Sequence, residues 1–341
     1  MNNYLYYLFL PMVIFFIVFF LNFLLIKKNF LLSQTGDPHQ KFANKKNIPL
    51  IGGILIYLCI IYLFFNDLKN VISILFLVIF LLGLFSDLKL IKSALVKLLL
   101  QISIIYFAIY IGDISLTSLR IQFLDQLNNN IFFNYFFVTF CILILINGTN
   151  FIDGLNGLVL GYFSLIFITM YLTDLTNAIF LKEKIFIFII CLVILFFFNI
   201  TNKIFLGDNG SYLLGVFCSI TLIQLYNNND FSPFFVVLLL WYPCFELLFS
   251  IFRKFNFKQS PLEPDVKHFH QLILNFLKLR FKYKYLASNN LASFLILLYN
   301  CIIFLIGSKN IYNSEIQILL ILFSIIIYIF AYLKLYRYVS K

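Results

Sequence analysis

Eleven apolar runs, at 4–26, 49–65, 71–85, 94–111, 131–146, 155–172, 185–200, 211–226, 233–252, 291–306 and 316–332, take up most of this 341-residue chain. In lipid, stretches of that length are stable as helices that satisfy their own backbone hydrogen bonds. Composition agrees, with 62% of residues hydrophobic, 20% aromatic and 11% charged, and a mean hydropathy of +0.98. A water-soluble domain could not cover its surface from that inventory. The expected fold is all-α: a polytopic integral membrane helix bundle of about eleven transmembrane helices in one domain over 1–341. Several runs fall short of the ~20 apolar residues that usually cross a bilayer, so polar ends are expected within helix termini. The first run is too long for a signal-peptide core and no small-residue cleavage pattern follows it, so it is expected to persist as a helix.

A net charge of +11 would suggest a nucleic-acid partner in a soluble protein. Here the positive-inside rule and anionic lipid headgroups account for it. With the N-terminus outside, 20 of the Lys and Arg residues fall in inside segments and 5 in outside ones, which predicts an outside N-terminus and a cytoplasmic C-terminus. That orientation puts Asp87, the 147–156 cluster, Gly207-Asp208 and the loop with His268 and His270 on one cytoplasmic face. Outside connections are short, except 112–130, where alternating residues predict a small hairpin. Cys59, Cys141, Cys191, Cys218, Cys244 and Cys301 all lie in apolar runs without metal-type spacing and read as small buried hydrophobes.

Where two apolar runs meet, the chain reads Asn147-Gly-Thr-Asn150-Phe-Ile-Asp153-Gly-Leu-Asn156-Gly-Leu158. A carboxylate at bilayer depth costs roughly 2.5 to 3.5 kcal/mol, which makes such a junction a candidate functional site. The competing reading is a helix-connecting turn, with Asn and Asp as caps and Gly for permissive angles. A second junction, Gly207-Asp208-Asn209-Gly210-Ser211, and a third, His268-Phe-His270, favour function because orientation brings all three to one side. Carboxylate and amide oxygens suit Mg²⁺ or Mn²⁺, and Asp208 and Asn150 are the metal candidates. Gly210-Ser211 opens a helix and could offer amide hydrogens to a phosphate. Lys45, Lys46, Lys97, Arg253 and Lys267 could neutralise a diphosphate, although each alone reads as a topology signal. For Asp87 the bland reading is an ion pair with Lys89 or Lys92, and Glu246 reads as a structural partner of Arg253.

These motifs resemble the polyprenyl-phosphate N-acetylhexosamine-1-phosphate transferase family, glycosyltransferase family 4. The 147–158 stretch is similar to its central signature, and Leu206-Gly-Asp-Asn-Gly-Ser-Tyr-Leu-Leu-Gly215 to its Gly-Asp-x-Gly-Ser element. Ile48-Pro-Leu-Ile-Gly-Gly53 matches a first-loop motif, while Pro243-x-x-Glu246 with Arg253-Lys254, and Ser260-Pro-Leu-Glu-Pro-Asp-Val-Lys-His-Phe-His270, resemble its last large loop. The likeness covers about 36–274. It implies transfer of an N-acetylamino-sugar 1-phosphate from a UDP-sugar to polyprenyl (undecaprenyl) phosphate with release of UMP. By carry-over Asp208 would hold Mg²⁺, Asn150 would ligate it or orient substrate, and Asp87 and Asp153 would position or deprotonate the lipid phosphate. His268 and His270 would meet the donor phosphates or nucleotide, and Lys45, Lys97, Asn147, Asn156, Gly210, Ser211 and Arg253 would complete the substrate-binding set.

The resemblance further implies an enzyme of the bacterial inner (cytoplasmic) membrane with a cytoplasmic active site, membrane lipids as partners, no nucleic acid and a possible homodimer. It favours the branch that initiates surface polysaccharides such as lipopolysaccharide. The phospho-N-acetylmuramoyl-pentapeptide transferase branch of peptidoglycan synthesis is the nearer alternative, and a transporter or flippase for a lipid-linked sugar is the alternative of another class. The chain departs from the family at four places. Ser86 stands before Asp87 where many members carry two adjacent acids; Asn156 replaces an acid of the signature, Gln271 a third histidine and Asn44 a first-loop histidine.

Overall fold

The computed structural model describes residues 2–33, 48–173, 175, 179–260 and 267–339. Its helices in chain order are α1 (Asn2–Lys28), α2 (Gly52–Phe64), α3 (Asn70–Asp87), α4 (Ala94–Gly112), α5 (Gln122–Asn128), α6 (Ile131–Ile152) and α7 (Leu158–Leu172), then α8 (Ile179–Ile200), α9 (Gly207–Asn228), α10 (Pro233–Asn256), α11 (Phe269–Phe281), α12 (Tyr285–Ser308) and α13 (Ser314–Val339). Each of the eleven apolar runs falls on one of these helices; α5 and α11 are additions. Eight helices, α1, α3, α4, α6, α8, α10, α12 and α13, are long and apolar enough to cross a membrane, and α2 and α7 are shorter apolar helices.

The long helix α9 stands outside those eight for a physical reason. It packs against α2, α3 and α6, and its residues 209–220 are buried without a break. Protein rather than lipid surrounds it, so it needs no apolar outer face. Small residues on two neighbours and on α9 itself let it in, as is usual where helices pack without a hydrophobic drive between them. A Cβ on Gly53 of α2 would lie 1.7 Å from Asn209 Oδ1, and one on Gly83 of α3 would lie 2.4 Å from Asn209 Cα. Gly215 of α9 itself meets the Ile146 backbone of α6, where a Cβ would come within 2.9 Å of Ile146 Cα. Deeper in, Phe217 of α9 packs among Phe64, Phe76, Phe167 and Phe188 with ring centroids 5.1–5.7 Å apart.

Local chemistry sets the helix ends. Ser93 starts α4 by accepting from Val96 N, Asn130 starts α6 by accepting from Phe132 N and Phe133 N, and Ser232 caps α10 ahead of Pro233. Inside α10, Pro243 cannot donate to the carbonyl four residues before it. That carbonyl, Leu239 O, instead accepts from Tyr162 OH of α7 at 2.9 Å. Pro243 O itself lies against Gly148 of α6, where a Cβ would come within 2.4 Å.

The hairpin expected over 112–130 does not form. The segment becomes a loop and the short α5, because side chains take the backbone groups that a ladder would have used. Asn134 Oδ1 accepts from Leu116 N at 3.0 Å, Asn128 Nδ2 donates to Leu116 O at 2.8 Å, and Asp125 Oδ1 accepts from Leu119 N at 2.5 Å. Among the described residues the sole β pairing is an isolated antiparallel bridge between Leu32 and Pro49. This end of the bundle is otherwise tied by Lys184 to Asp67 at 2.6 Å and by Ser232 to Ser314 at 2.8 Å. The opposite end holds the polar junctions.

Candidate active site at one end of the bundle

Asp87, the last residue of α3, caps the first turn of α9. Its Oδ1 accepts from Asp208 N at 2.9 Å and its Oδ2 from Asn209 N at 3.1 Å, so the carboxylate meets the positive end of the helix dipole. Gly207 makes the approach possible. Its φ is +76°, and a Cβ there would lie 2.7 Å from Asp87 Oδ2. The ion pair with Lys89 or Lys92 is therefore not what holds Asp87. Both oxygens face the α9 amides, so the residue anchors the first turn of α9.

Asp208 is the hub. Its Oδ2 accepts from Ser86 Oγ, from Lys97 Nζ at 3.2 Å and from Tyr212 OH at 3.4 Å. Tyr212 OH in turn accepts from Asn150 Nδ2 of α6 at 3.3 Å, which joins both expected metal candidates through one phenol. Asp153 ends α6 beside this group. Burial and the charges of Asp208 and Asp87 push its carboxyl well above the usual carboxylate range. Sequence reasoning had singled out Asp208, Asn150, Asp153 and Lys97, and the structure brings all four together. It had passed over Tyr212, although a tyrosine four residues after Asp208 on one helix must share its face.

The two histidines have different jobs. His268 Nδ1 lies 3.1 Å from Glu246 Oε1, and the edge of Phe151 meets its ring at 5.0 Å. Glu246 also accepts from Phe269 N at 3.1 Å and from Tyr328 OH at 2.8 Å, so its partners are the histidine loop and α13, not Arg253. His270 stacks parallel on His268 at 5.6 Å and presses on the turn after Asp153, where a Cβ on Gly154 would lie 2.6 Å from its Nε2. It is fully buried, and neither ring nitrogen has a hydrogen-bond partner among the described residues. Burial is the main cause that lowers its pKa from 6.5 to about 3, so the ring is neutral at neutral pH.

Five expected substrate contacts are placed otherwise. Arg253 donates to Lys267 O at 2.5 Å, Tyr332 OH at 2.6 Å and Ser250 Oγ at 3.2 Å, and so carries the histidine loop rather than presenting a charge. Asn156 donates from its main chain to Asn289 Oδ1 at 2.8 Å and from its side chain to Asn202 Oδ1 at 2.6 Å, while Ser293 Oγ donates to its carbonyl at 2.7 Å. It knots α7, the α8–α9 connection and α12. Gly210 is buried against Gly53, and Ser211 is buried with its Oγ on Asp208 O at 3.2 Å, so Asp87 rather than a phosphate takes the free amides of α9. Asn147 donates to Gln101 Oε1 at 3.0 Å and to Leu143 O at 2.9 Å. Lys45 lies outside the described residues, as does Lys46.

The donor set suits a hard divalent cation. Carboxylate, amide and phenol oxygens surround Asp208, with no thiolate among them. Among the described residues no group of three or more His, Cys, Asp and Glu side chains is placed to hold a metal by itself. Magnesium ordinarily sits on one or two carboxylates and completes its shell with water and substrate phosphates, so an open site of this kind fits it.

Residues 70–226 match the family model for glycosyl transferase family 4, a span that includes Asp87, Lys97, Asn150, Asp153 and Asp208 but ends before His268. The chain is 27% identical over 237 residues to the undecaprenyl-phosphate alpha-N-acetylglucosaminyl 1-phosphate transferase of Thermotoga maritima, covering 69% of this chain and 71% of the relative. It is 26% identical over 260 residues to a probable undecaprenyl-phosphate N-acetylglucosaminyl 1-phosphate transferase of Bacillus subtilis, covering 72% and 71%. A shorter likeness, 30% identity over 153 residues and 38% of each chain, links it to the decaprenyl-phosphate N-acetylglucosaminephosphotransferase of Mycolicibacterium smegmatis. The part of the chain that is similar to glycosyl transferase family 4 is thus the part that holds the hub residues.

Proposed function

We propose that the chain moves an N-acetylamino-sugar 1-phosphate from a UDP-sugar to polyprenyl phosphate. An oxygen of the lipid phosphate attacks the sugar-bearing phosphorus, the phosphoanhydride bond to the UMP phosphate breaks, and UMP leaves. One phosphoanhydride replaces another, so the protein's work is alignment and charge neutralisation. The observation that supports this best is the convergence of Asp87, Asp153, Asp208, Lys97 and Asn150, from four helices, at one end of the bundle.

Asp208, with Asn150 and Tyr212 beside it, would hold Mg²⁺, and Mg²⁺ would supply charge neutralisation on the donor diphosphate. Lys97 stands ready to meet a phosphate oxygen. Asp153, its carboxyl pushed up, positions the incoming lipid phosphate by hydrogen bonding, which suits a nucleophile already ionised near neutral pH. His270, neutral and with both nitrogens open, can donate from one of them without adding charge. A transporter would place such groups near mid-span in broken helices, whereas here they sit at helix ends.

The matching placement in the cell is a bacterial cytoplasmic membrane, crossed about eleven times, with the site on the cytoplasmic face and the product feeding a surface polysaccharide. The test is a donor screen with the purified chain, polyprenyl phosphate and Mg²⁺, reading UMP. Release from a UDP-N-acetylhexosamine supports the proposal. Release only from the UDP-muramoyl pentapeptide would move the chain to the peptidoglycan branch, and no release from any donor would refute it.

A further inference from the structure

Three donors from three helices converge on the same oxygen of Asp208: Ser86 from α3, Lys97 from α4 and Tyr212 from α9. The side chains of Lys97 and Asp208 are 23% and 25% exposed, so the pair sits where water and small ions reach it. An oxygen whose lone pairs are taken by donors cannot also ligate a cation, and an ammonium beside it repels one. Position 86 sharpens the point. Many members of the family resembled have an acid there; this chain has a hydroxyl, which donates to Asp208 where a carboxylate would repel it.

We propose that Lys97 is a tethered cation that competes with a divalent ion for Asp208, with Ser86 and Tyr212 as its co-donors. Binding of the ion then requires the ammonium to leave Oδ2, and the serine in place of an acid tilts the balance towards the tether. The destination of the displaced ammonium, a donor phosphate, rests on the proposed transfer reaction; the competition itself rests only on the four side chains. Asp87 is not a further partner of the tether: its oxygens are held by the α9 amides, and it acts on Asp208 and Lys97 only through its charge.

The test is a substrate-free titration of the purified full-length chain with Mn²⁺, read by the electron paramagnetic resonance of the free ion and by thermal unfolding. Lys97→Gln is expected to bind Mn²⁺ about tenfold more tightly than the wild type, since a unit charge within ~4 Å is removed. Ser86→Asp is expected to bind more tightly as well, to melt lower than the wild type without Mn²⁺ and to regain that loss when Mn²⁺ is added. Unchanged or weaker binding in Lys97→Gln overturns the proposal, and so does the lack of saturable Mn²⁺ binding in every variant. Should Lys97→Gln fail to fold, Ser86→Asp decides alone. UMP release, measured in parallel, separates the two ideas: its failure with every donor refutes the transfer reaction, while the order of Mn²⁺ affinities still decides on the tether.

Discussion

Asp87 and Asp208 are both acidic residues at helix ends, yet they do different things because one faces amide hydrogens and the other faces side-chain donors. The difference is measurable. Asp87→Ala removes the cap of α9 and is expected to cost about 1–2 kcal/mol of stability, read as a lower unfolding temperature with or without substrate. Asp208→Ala is expected to stop UMP release while leaving the fold in place. His270 gives a pH signature. Its folded pKa of about 3 lies below the unfolded value of 6.5, so the unfolded chain binds more protons between the two. The contribution is complete above the unfolded value and drains as pH falls, by up to ~1.4 kcal/mol per pH unit. His270→Gln is expected to flatten the fall in unfolding temperature between pH 7 and pH 5. The sequence marked the acids and histidines because each is out of place in an apolar chain. It could not say which oxygen faces which donor, and so Glu246 was matched to Arg253 when its partners are His268 and Tyr328.

Among the elements, α10 and α9 carry the constraints that are easiest to break. Tyr162→Phe leaves the buried Leu239 carbonyl without the hydroxyl that satisfies it in place of the missing Pro243 N–H. The expected loss is about 1–3 kcal/mol of stability, with the site residues untouched, checked by thermal unfolding alongside UMP release. Gly83→Ala places a Cβ 2.4 Å from the backbone of Asn209 and must push α9 away from α3. Because Asp87 sits one turn further along α3, that push is expected to remove activity together with stability. Helix existence was legible from apolar run length, and all eleven runs fall on helices. The 112–130 hairpin was misread because the alternation there is real but its backbone is claimed by Asn128, Asn134 and Asp125, which lie further along the chain.

At the scale of the whole molecule, the polar junctions separated by up to two hundred positions meet because successive long helices run back and forth between the same two ends. By the positive-inside rule the site end is expected in the cytoplasm, and a membrane-impermeant thiol reagent tests that expectation. Single cysteines introduced at Asn202 and Lys258, near the site end, should react only in opened vesicles, whereas one at Asn129, near the other end, should react in intact cells. Among the described residues α9 is the one long helix outside the eight that are apolar enough to cross a membrane, and α2, α3 and α6 enclose it. A nascent chain cannot hand such a segment to the bilayer by itself. The translocon must keep α2, α3 and α6 at hand until it arrives, so shortened versions of this protein that lack any of those three should release α9 back to water during synthesis.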